Sequence, residues 1–277
     1  MNAPDDANDL RGFHFRLLLR KPATWVATMV FVIAAGIAGA SFLSAAIGAI
    51  AFVAALVLSL LIVFAIADRC SEEAFFAVYA SQRGMSLSGR SEVRAATPLL
   101  LRGSDRYAEH SFTGPLAEGV DGLLALYTYE ETTSTDKGQQ TSYYPYTIGL
   151  VEVPECAAQV PELLCQRKFG LRVFEGLEDT FRGSRQRVRL ESEALDEHYE
   201  IFCLEGQDQV WLRRLFSPTF VVWLGEEAPK KFAFELVGGI LCCYVNGHKK
   251  SAAELDTVRT ASATVARRLR EEALETS

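Results

Sequence analysis

Hydrophobic and polar positions along this chain form one long uniform block followed by short alternating ones. From Trp25 to Ala67 there is no Asp, Glu, Lys, Arg, His, Asn, Gln or Pro. A charge at a bilayer centre costs at least ~2.5 kcal/mol, and the block is about twice the ~20 residues with which a helix crosses the hydrocarbon core. The pattern therefore predicts a two-span transmembrane hairpin over 25–67 that reverses near 39–46. A buried core helix would be shorter and would carry a polar stripe. A cleaved signal peptide would use Ala38-Gly39-Ala40 as its small-residue site, yet would leave the second apolar half unexplained.

Arg11, Arg16, Arg20 and Lys21 precede the block and the turn within it is uncharged, so the positive-inside rule places both termini in the cytoplasm of a multi-pass inner-membrane protein. Trp25 stands where an interfacial anchor belongs. Leu10, Phe13, Leu17 and Leu18 give residues 1–24, a cytosolic tail, a short interfacial stripe that Pro22 ends. Gly36, Ala40, Ser44 and Gly48 recur every four residues, a spacing compatible with close helix approach or a homo-oligomer of hairpins, though the series runs through the proposed turn.

Residues 68–277 read as a cytosolic α+β region of mainly antiparallel sheet with packed helices. It is either one unit or two subdomains dividing near 175–187. Ser71 to Arg83 continues as a helix with Phe75, Phe76, Val78 and Tyr79 on its apolar side, and Gly84 suits its end. Met85 to Ala96 reads as a linker, and Leu99 to Leu101 as a short strand. Residues 123–129 and 143–153 are rich in aromatic and β-branched positions, which predicts a hairpin with a long solvated tip over the polar Thr132 to Gln140. Pro145 places the second of these strands at an edge or bulge. Leu171 to Phe174, Arg187 to Leu190 and Tyr199 to Cys203 alternate as extended chain. Gln207 to Phe216 predicts a helix, and Ser217-Pro218 starts another through Leu224. Phe232 to Leu236 and Ile240 to Val245 flank Val237-Gly238-Gly239 as a hairpin, and Ser251 to Leu274 is amphipathic, with Leu255, Val258, Ala261, Val265 and Leu269 on one face.

The formal net charge of −7 disfavours a nucleic-acid partner, since the dense arginines Arg182, Arg185, Arg187 and Arg189 alternate as on the wet face of a strand. Six cysteines form no C-x-x-C pair, which predicts reduced core thiols. Adjacent Cys242 and Cys243 point to opposite faces of a strand, so no metal site is assigned, and no cofactor is expected. There is no phosphate loop, zincin helix or dinucleotide fingerprint. Gly84-Met85-Ser86-Leu87-Ser88 lacks the closing glycine of a nucleophile elbow. His198 with Asp196 or Glu197 is the nearest approach to a triad, but such close neighbours usually point apart. No catalytic residue is assigned.

Glu191-Ser192-Glu193, Tyr199 to Phe202, Leu215 to Pro218 and the 232–245 hairpin resemble the cytosolic domain of a family of uncharacterised bacterial membrane proteins. Gly103-Ser104-Asp105-Arg106, Gly114 and Tyr127 to Tyr129 are similar to its first half, while Cys203 and the segment around Gly206 depart from its pattern. That resemblance implies paired N-terminal spans and a following α+β domain of unknown function, and carries no catalytic residue. The expected role is a membrane-tethered binding or scaffolding module, with the lipid bilayer and a protein at the membrane as partners. The alternatives are a membrane-anchored hydrolase or transferase, or a small transporter or channel component with Ser41, Ser44 or Ser59 lining a pore.

Overall fold

The computed structural model describes residues 16, 20, 25–26, 29–34, 37, 45–135, 138–168, 185–190 and 193–275, with the side chains at 45, 47, 48, 51, 64, 66–68, 135, 193 and 194 excepted. Two compact units divide at Gln82/Arg83.

In the first unit, residues 25–26, 29–34 and 37 are helical, and a 38-residue helix, α1, runs Ala45–Gln82. The alanine- and leucine-rich sequence has no proline and, after Gly48 in its first turn, no glycine until Gly84, which takes φ +65° just beyond its end. Val32, Ala55 and Ser59 are buried, whereas Ile50, Phe52, Val53, Leu56, Val57, Leu58, Leu61 and Ile62 are exposed. Among the described residues no helix is long and apolar enough to cross a membrane. A transmembrane hairpin is accordingly not seen there, and most of its expected reversal at 39–46 lies outside those residues. Towards the end of α1, Phe75 packs against Phe76 and Tyr79, with ring centroids 5.2 and 6.3 Å apart.

The second unit is built on a nine-stranded sheet in the order β1-β2-β3-β4-β9-β8-β5-β7-β6. Every pairing in it is antiparallel. Its strands are β1 Ser86–Ser88, β2 Asp105–Ala117, β3 Val120–Thr135, β4 Gly138–Glu152, β5 Glu162–Arg167, β6 Arg185–Val188, β7 Tyr199–Leu204, β8 Ala233–Val237 and β9 Ile240–Asn246. Short helices α2 Glu193–His198, α3 Gln209–Leu215 and α4 Pro218–Val222 follow the β6 region, α4 passing directly into a π turn, Trp223–Glu227. The long α5, Ala252–Glu275, closes the chain. The α+β class with a large antiparallel sheet is thus present.

Four local expectations need correction. Leu99–Leu101 is a 3-10 turn, because Pro98 starts it at φ −50° and the Leu99 N–H goes to a side chain rather than to a strand. The supposed linker contains β1, paired with β2 through Leu87↔Phe112, and a further bridge at Ser91↔Ala108. The polar tip is not a long loop: Thr132↔Thr141, Thr133↔Gln140 and Thr135↔Gly138 continue the ladder. Threonine is a good strand former, and solvation of its hydroxyl does not interrupt pairing. Pro145 sits in an interior strand, but just past the point at which β9 stops pairing with β4, at Tyr146↔Asn246. The alternation at 171–174 lies outside the described residues.

Strand parity sorts the core. One face carries Leu124, Gly149, Cys243, Phe234 and Leu236, and α5 lies on it with Leu255, Val258, Val265 and Leu269 buried, as its periodicity required. The other face carries Ala125, Tyr127, Tyr129, Tyr146, Ile148, Cys242 and Tyr244, covered by Leu99 and Leu100 with Val93 packed alongside. The segment 89–104 is therefore a strap across the second face.

Candidate functional site

The strap is fastened by a buried carboxylate. Glu235 occupies the centre of Ala233-Phe234-Glu235-Leu236-Val237, where strand parity turns it to the strap side beside Cys242 and Tyr244. It is 1% exposed. Its Oε2 accepts the Leu99 N–H at 2.9 Å and its Oε1 accepts the Tyr244 hydroxyl at 3.2 Å. Burial pushes its pKa up, and the Leu99 N–H, the Thr97 and Tyr244 hydroxyls and the Arg102 charge oppose that rise. Above the carboxylate, the Tyr127 hydroxyl donates to the Leu99 carbonyl at 3.5 Å and Arg102 donates to the Tyr129 hydroxyl at 3.4 Å. Both oxygens of Glu235 face protein donors, so this network holds the strap in place rather than meeting a substrate.

A second polar junction sits on the α5 face. The register shift between Ala108 and His110 in β2 releases Glu109 from the ladder, and its Oε2 lies 3.6 Å from His248 Nδ1. His248 Nε2 lies 3.1 Å from the Tyr127 carbonyl and 3.2 Å from Thr128 Oγ1. A carbonyl only accepts, so Nε2 carries a proton. Through Nε2 the histidine ties the β9–α5 connection to β3, with the Glu109 carboxylate of β2 nearby.

The residues singled out for chemistry stay apart. Among the described residues no hydrogen bond links His198 to Asp196 or Glu197, all three lying on the single turn α2. Cys156, Cys165, Cys203, Cys242 and Cys243 are buried and free, and Cys70 is exposed. Cys242 faces the strap beside Glu235, while Cys243 faces α5, where its thiol meets Ser262. Arg185 pairs with Glu162, and Arg187 with Glu200 at 3.2 Å, so these arginines are bound into the sheet rather than offered as a basic footprint.

Open space adjoins the strap. A cleft of about 700 Å³ has Leu123, Leu150 and Ile240 for a floor and Ala96 of the strap for a wall, within the size range of small-molecule sites. Arg94 and Glu152 face each other across its mouth at 3.9 Å, both largely exposed, a pairing readily displaced by a ligand. Arg270 also lines the cleft, but it is a structural clamp. It donates to the Gly119 carbonyl at 3.1 Å and the Glu152 carbonyl at 3.0 Å, and pairs with Glu155 at 2.9 Å. No family model matches the chain, and neither does any curated protein. Among solved structures the chain is similar to the crystal structure of the mycobacterial trehalose monomycolate transport factor A. The identity is 11%, over 70% of this chain and 89% of that one, with a TM-score of 0.43. A likeness this weak carries neither fold nor function across.

Sequence reasoning missed Glu235, Arg94 and Arg270. For Glu235 there was a signal: a lone acid inside an apolar five-residue strand must either lie on a wet face or find buried donors. Nothing local marked Arg94 or Arg270, whose partners come from the end of β4, the β2–β3 turn and Glu155.

Proposed function

We infer that this protein is a membrane-tethered binding module, with residues 25–67 as a two-span anchor and the sheet unit working in the cytoplasm by holding a partner. The observation that carries the anchor is the surface of α1. Ile50 is 69% exposed and Leu61 61%, and the exposed apolar side chains between them point in all directions around the helix. A helix that is hydrophobic all round needs an apolar surrounding, and a bilayer supplies one. Small buried residues at Ala55 and Ser59 are what close approach of a second membrane helix uses, and the Ser59 hydroxyl donates to the Ala55 carbonyl at 2.7 Å. That bond also argues against Ser59 as a pore-lining group. The family resemblance belongs to the same proposal, since it implies the same layout.

Binding is favoured over chemistry because the buried carboxylate of Glu235 has both oxygens on protein donors, whereas the strap cleft is open and of small-molecule size. Topology is tested by cysteine labelling. In a Cys70→Ser background, Thr133→Cys should resist an impermeant maleimide in intact cells and react after lysis. Labelling in intact cells as fast as at a known external site would overturn the orientation, and release of the protein by alkaline carbonate would overturn the anchor. The tether reading is tested by replacing residues 25–67 with an unrelated two-span anchor. Retained partner capture is expected, and its complete loss from a folded, inserted fusion would favour the transporter alternative.

A further inference from the structure

The outer side of α5 carries a groove unrelated to the strap cleft, and its two lobes share Trp223 and Thr264. The larger, about 490 Å³, is lined by Ser217, Thr219, Phe220, Arg267, Arg268 and Glu271. The smaller, about 370 Å³, is lined by Glu227, Asp256, Thr257 and Thr260.

Trp223 divides them and is rigidly held. It stacks on Phe220 with centroids 5.5 Å apart at 10°, and meets Phe232 edge-on at 5.9 Å and 84°. It also opens the π turn, closed by the Ala228 N–H on the Trp223 carbonyl at 2.8 Å, a widened turn that is rare and found disproportionately at functional sites. The two arginines of the larger lobe differ. Arg268 donates to the Leu215 carbonyl at 3.1 Å, to the Arg214 carbonyl, and to Glu272 at 3.1 Å, with Glu271 at 3.7 Å, so its charge is already balanced. Arg267 is exposed and has no partner among the described residues. The Ser217 hydroxyl makes no cap bond, and the Thr219 hydroxyl has no hydrogen bond among the described residues.

One lobe thus presents a guanidinium with no ion-pair partner among the described residues, two uncommitted hydroxyls and a fixed indole, its one acid, Glu271, being drawn to Arg268 at 3.7 Å. A guanidinium with adjacent hydroxyls suits a phosphate, and an indole held by two rings suits stacking of a planar base. The smaller lobe has the opposite character. Among the described residues no Lys or Arg lines it, Asp256 there is already paired with Arg83 and Arg259, and Glu227 is a further acid, so it offers a phosphate no free cation. We propose that this groove binds a nucleoside phosphate, with the phosphate on Arg267, Ser217 and Thr219, the ribose between these and Trp223, and the base against the side of Trp223 away from Phe220, its far edge towards Thr257 and Thr260. The site lies wholly within the sheet unit and does not depend on the anchor reading.

The test is calorimetric titration of the full chain in detergent micelles with ADP, adenosine and inorganic phosphate, with Trp223 fluorescence followed in parallel. ADP should bind saturably and quench the indole, and adenosine and phosphate should each bind more weakly. Arg267→Glu, at an exposed position that cannot unfold the unit, should weaken ADP by at least about tenfold, equivalent to ~1.4 kcal/mol. Arg90→Glu, at an exposed position that lines neither the groove nor the strap cleft, should leave the affinity unchanged. Absence of saturable ADP binding up to about 5 mM, equivalent to a binding free energy weaker than about −3 kcal/mol, would overturn the site. So would unchanged affinity in Arg267→Glu, or equal affinity for phosphate and ADP, which would mean an oxyanion contact without the base.

Discussion

The closest approach in the core is between Gly149 of β4 and Ser262 of α5, and it gives a sharp test of how the helix is seated. A Cβ on Gly149 would lie 2.1 Å from Ser262 Oγ and 2.8 Å from Ser262 Cβ. Gly149 does not have a positive φ, so Gly149→Ala is a purely steric perturbation. Rotating the hydroxyl relieves the first contact at the expense of its 2.9 Å bond to the Val258 carbonyl, but the second contact is fixed by the helix backbone. Relief then requires lifting α5 from the sheet, and overpacking of this kind costs about 1–3 kcal/mol. For a unit of this size that lowers Tm by roughly 3–10 °C. Ser262→Ala should rescue only part of the loss, because the Cβ contact remains. Ser262→Gly removes both contacts but costs about 1 kcal/mol in helix propensity. The double mutant Gly149→Ala/Ser262→Gly should therefore be more stable than the sum of its singles by at least ~1 kcal/mol, well beyond the ~0.5 kcal/mol scatter of independent sites. Urea unfolding of the full chain in micelles, followed by near-UV circular dichroism, measures all four corners. Additive effects would show that the helix does not press on the sheet at this point.

Further outcomes follow from the same contacts. Val258→Asp places an unpaired charge beneath α5 and should unfold the sheet unit, read as loss of protease resistance, whereas Thr257→Asp on the exposed side should not. Because burial raises the Glu235 pKa, the folded state binds its proton more tightly than the unfolded chain does. Its contribution is full below the ordinary carboxylate range and is lost as pH rises through the raised value. Stability curves should show Glu235→Gln gaining on the wild type across that window, while Glu235→Ala, which strands the Leu99 N–H, loses about 1–3 kcal/mol at every pH. Burial pushes the Cys156 thiol up to about 12, so an excess of Ellman's reagent should titrate Cys70 rapidly and Cys156 only on unfolding. Excising 132–141 and closing β3 to β4 with Asn-Gly should shift Tm by less than a few degrees, since the side chains at 132–134 and 138–141 are exposed and the deeper ladder is retained.

Where a segment's fate depended on its own residues, it was legible. Gly238 and Gly239 adopt φ +56° and +79°, the paired left-handed turn that two adjacent glycines between apolar runs announce. The apolar spacing of α5 named its buried face correctly because a lone helix on a sheet obeys its own period. Elements whose fate depended on a distant partner were not legible. β1 is only three residues long, β5 lacks clean alternation, and β2 is interrupted by Gly114 and Pro115, so only their neighbours reveal them as strands. The run Leu99-Leu100-Leu101 is apolar enough for a strand, and it is a carboxylate 136 residues away that takes its first N–H. The strap cleft and the Trp223 groove were invisible for the same reason, since each is lined from elements far apart in sequence.

The strand order has a consequence for the timing of synthesis. β9 lies between β4 and β8, so the ribosome makes β1 to β4 as one meander and β5 to β8 as a second patch, and neither can join the other until residues 240–246 have emerged. Until then Tyr146 to Glu152 is an open edge of good strand formers, the kind of edge that recruits a neighbouring nascent chain. The keystone strand is made after the eight others, so between translation of residue 152 and of residue 246 that edge of β4 has no partner.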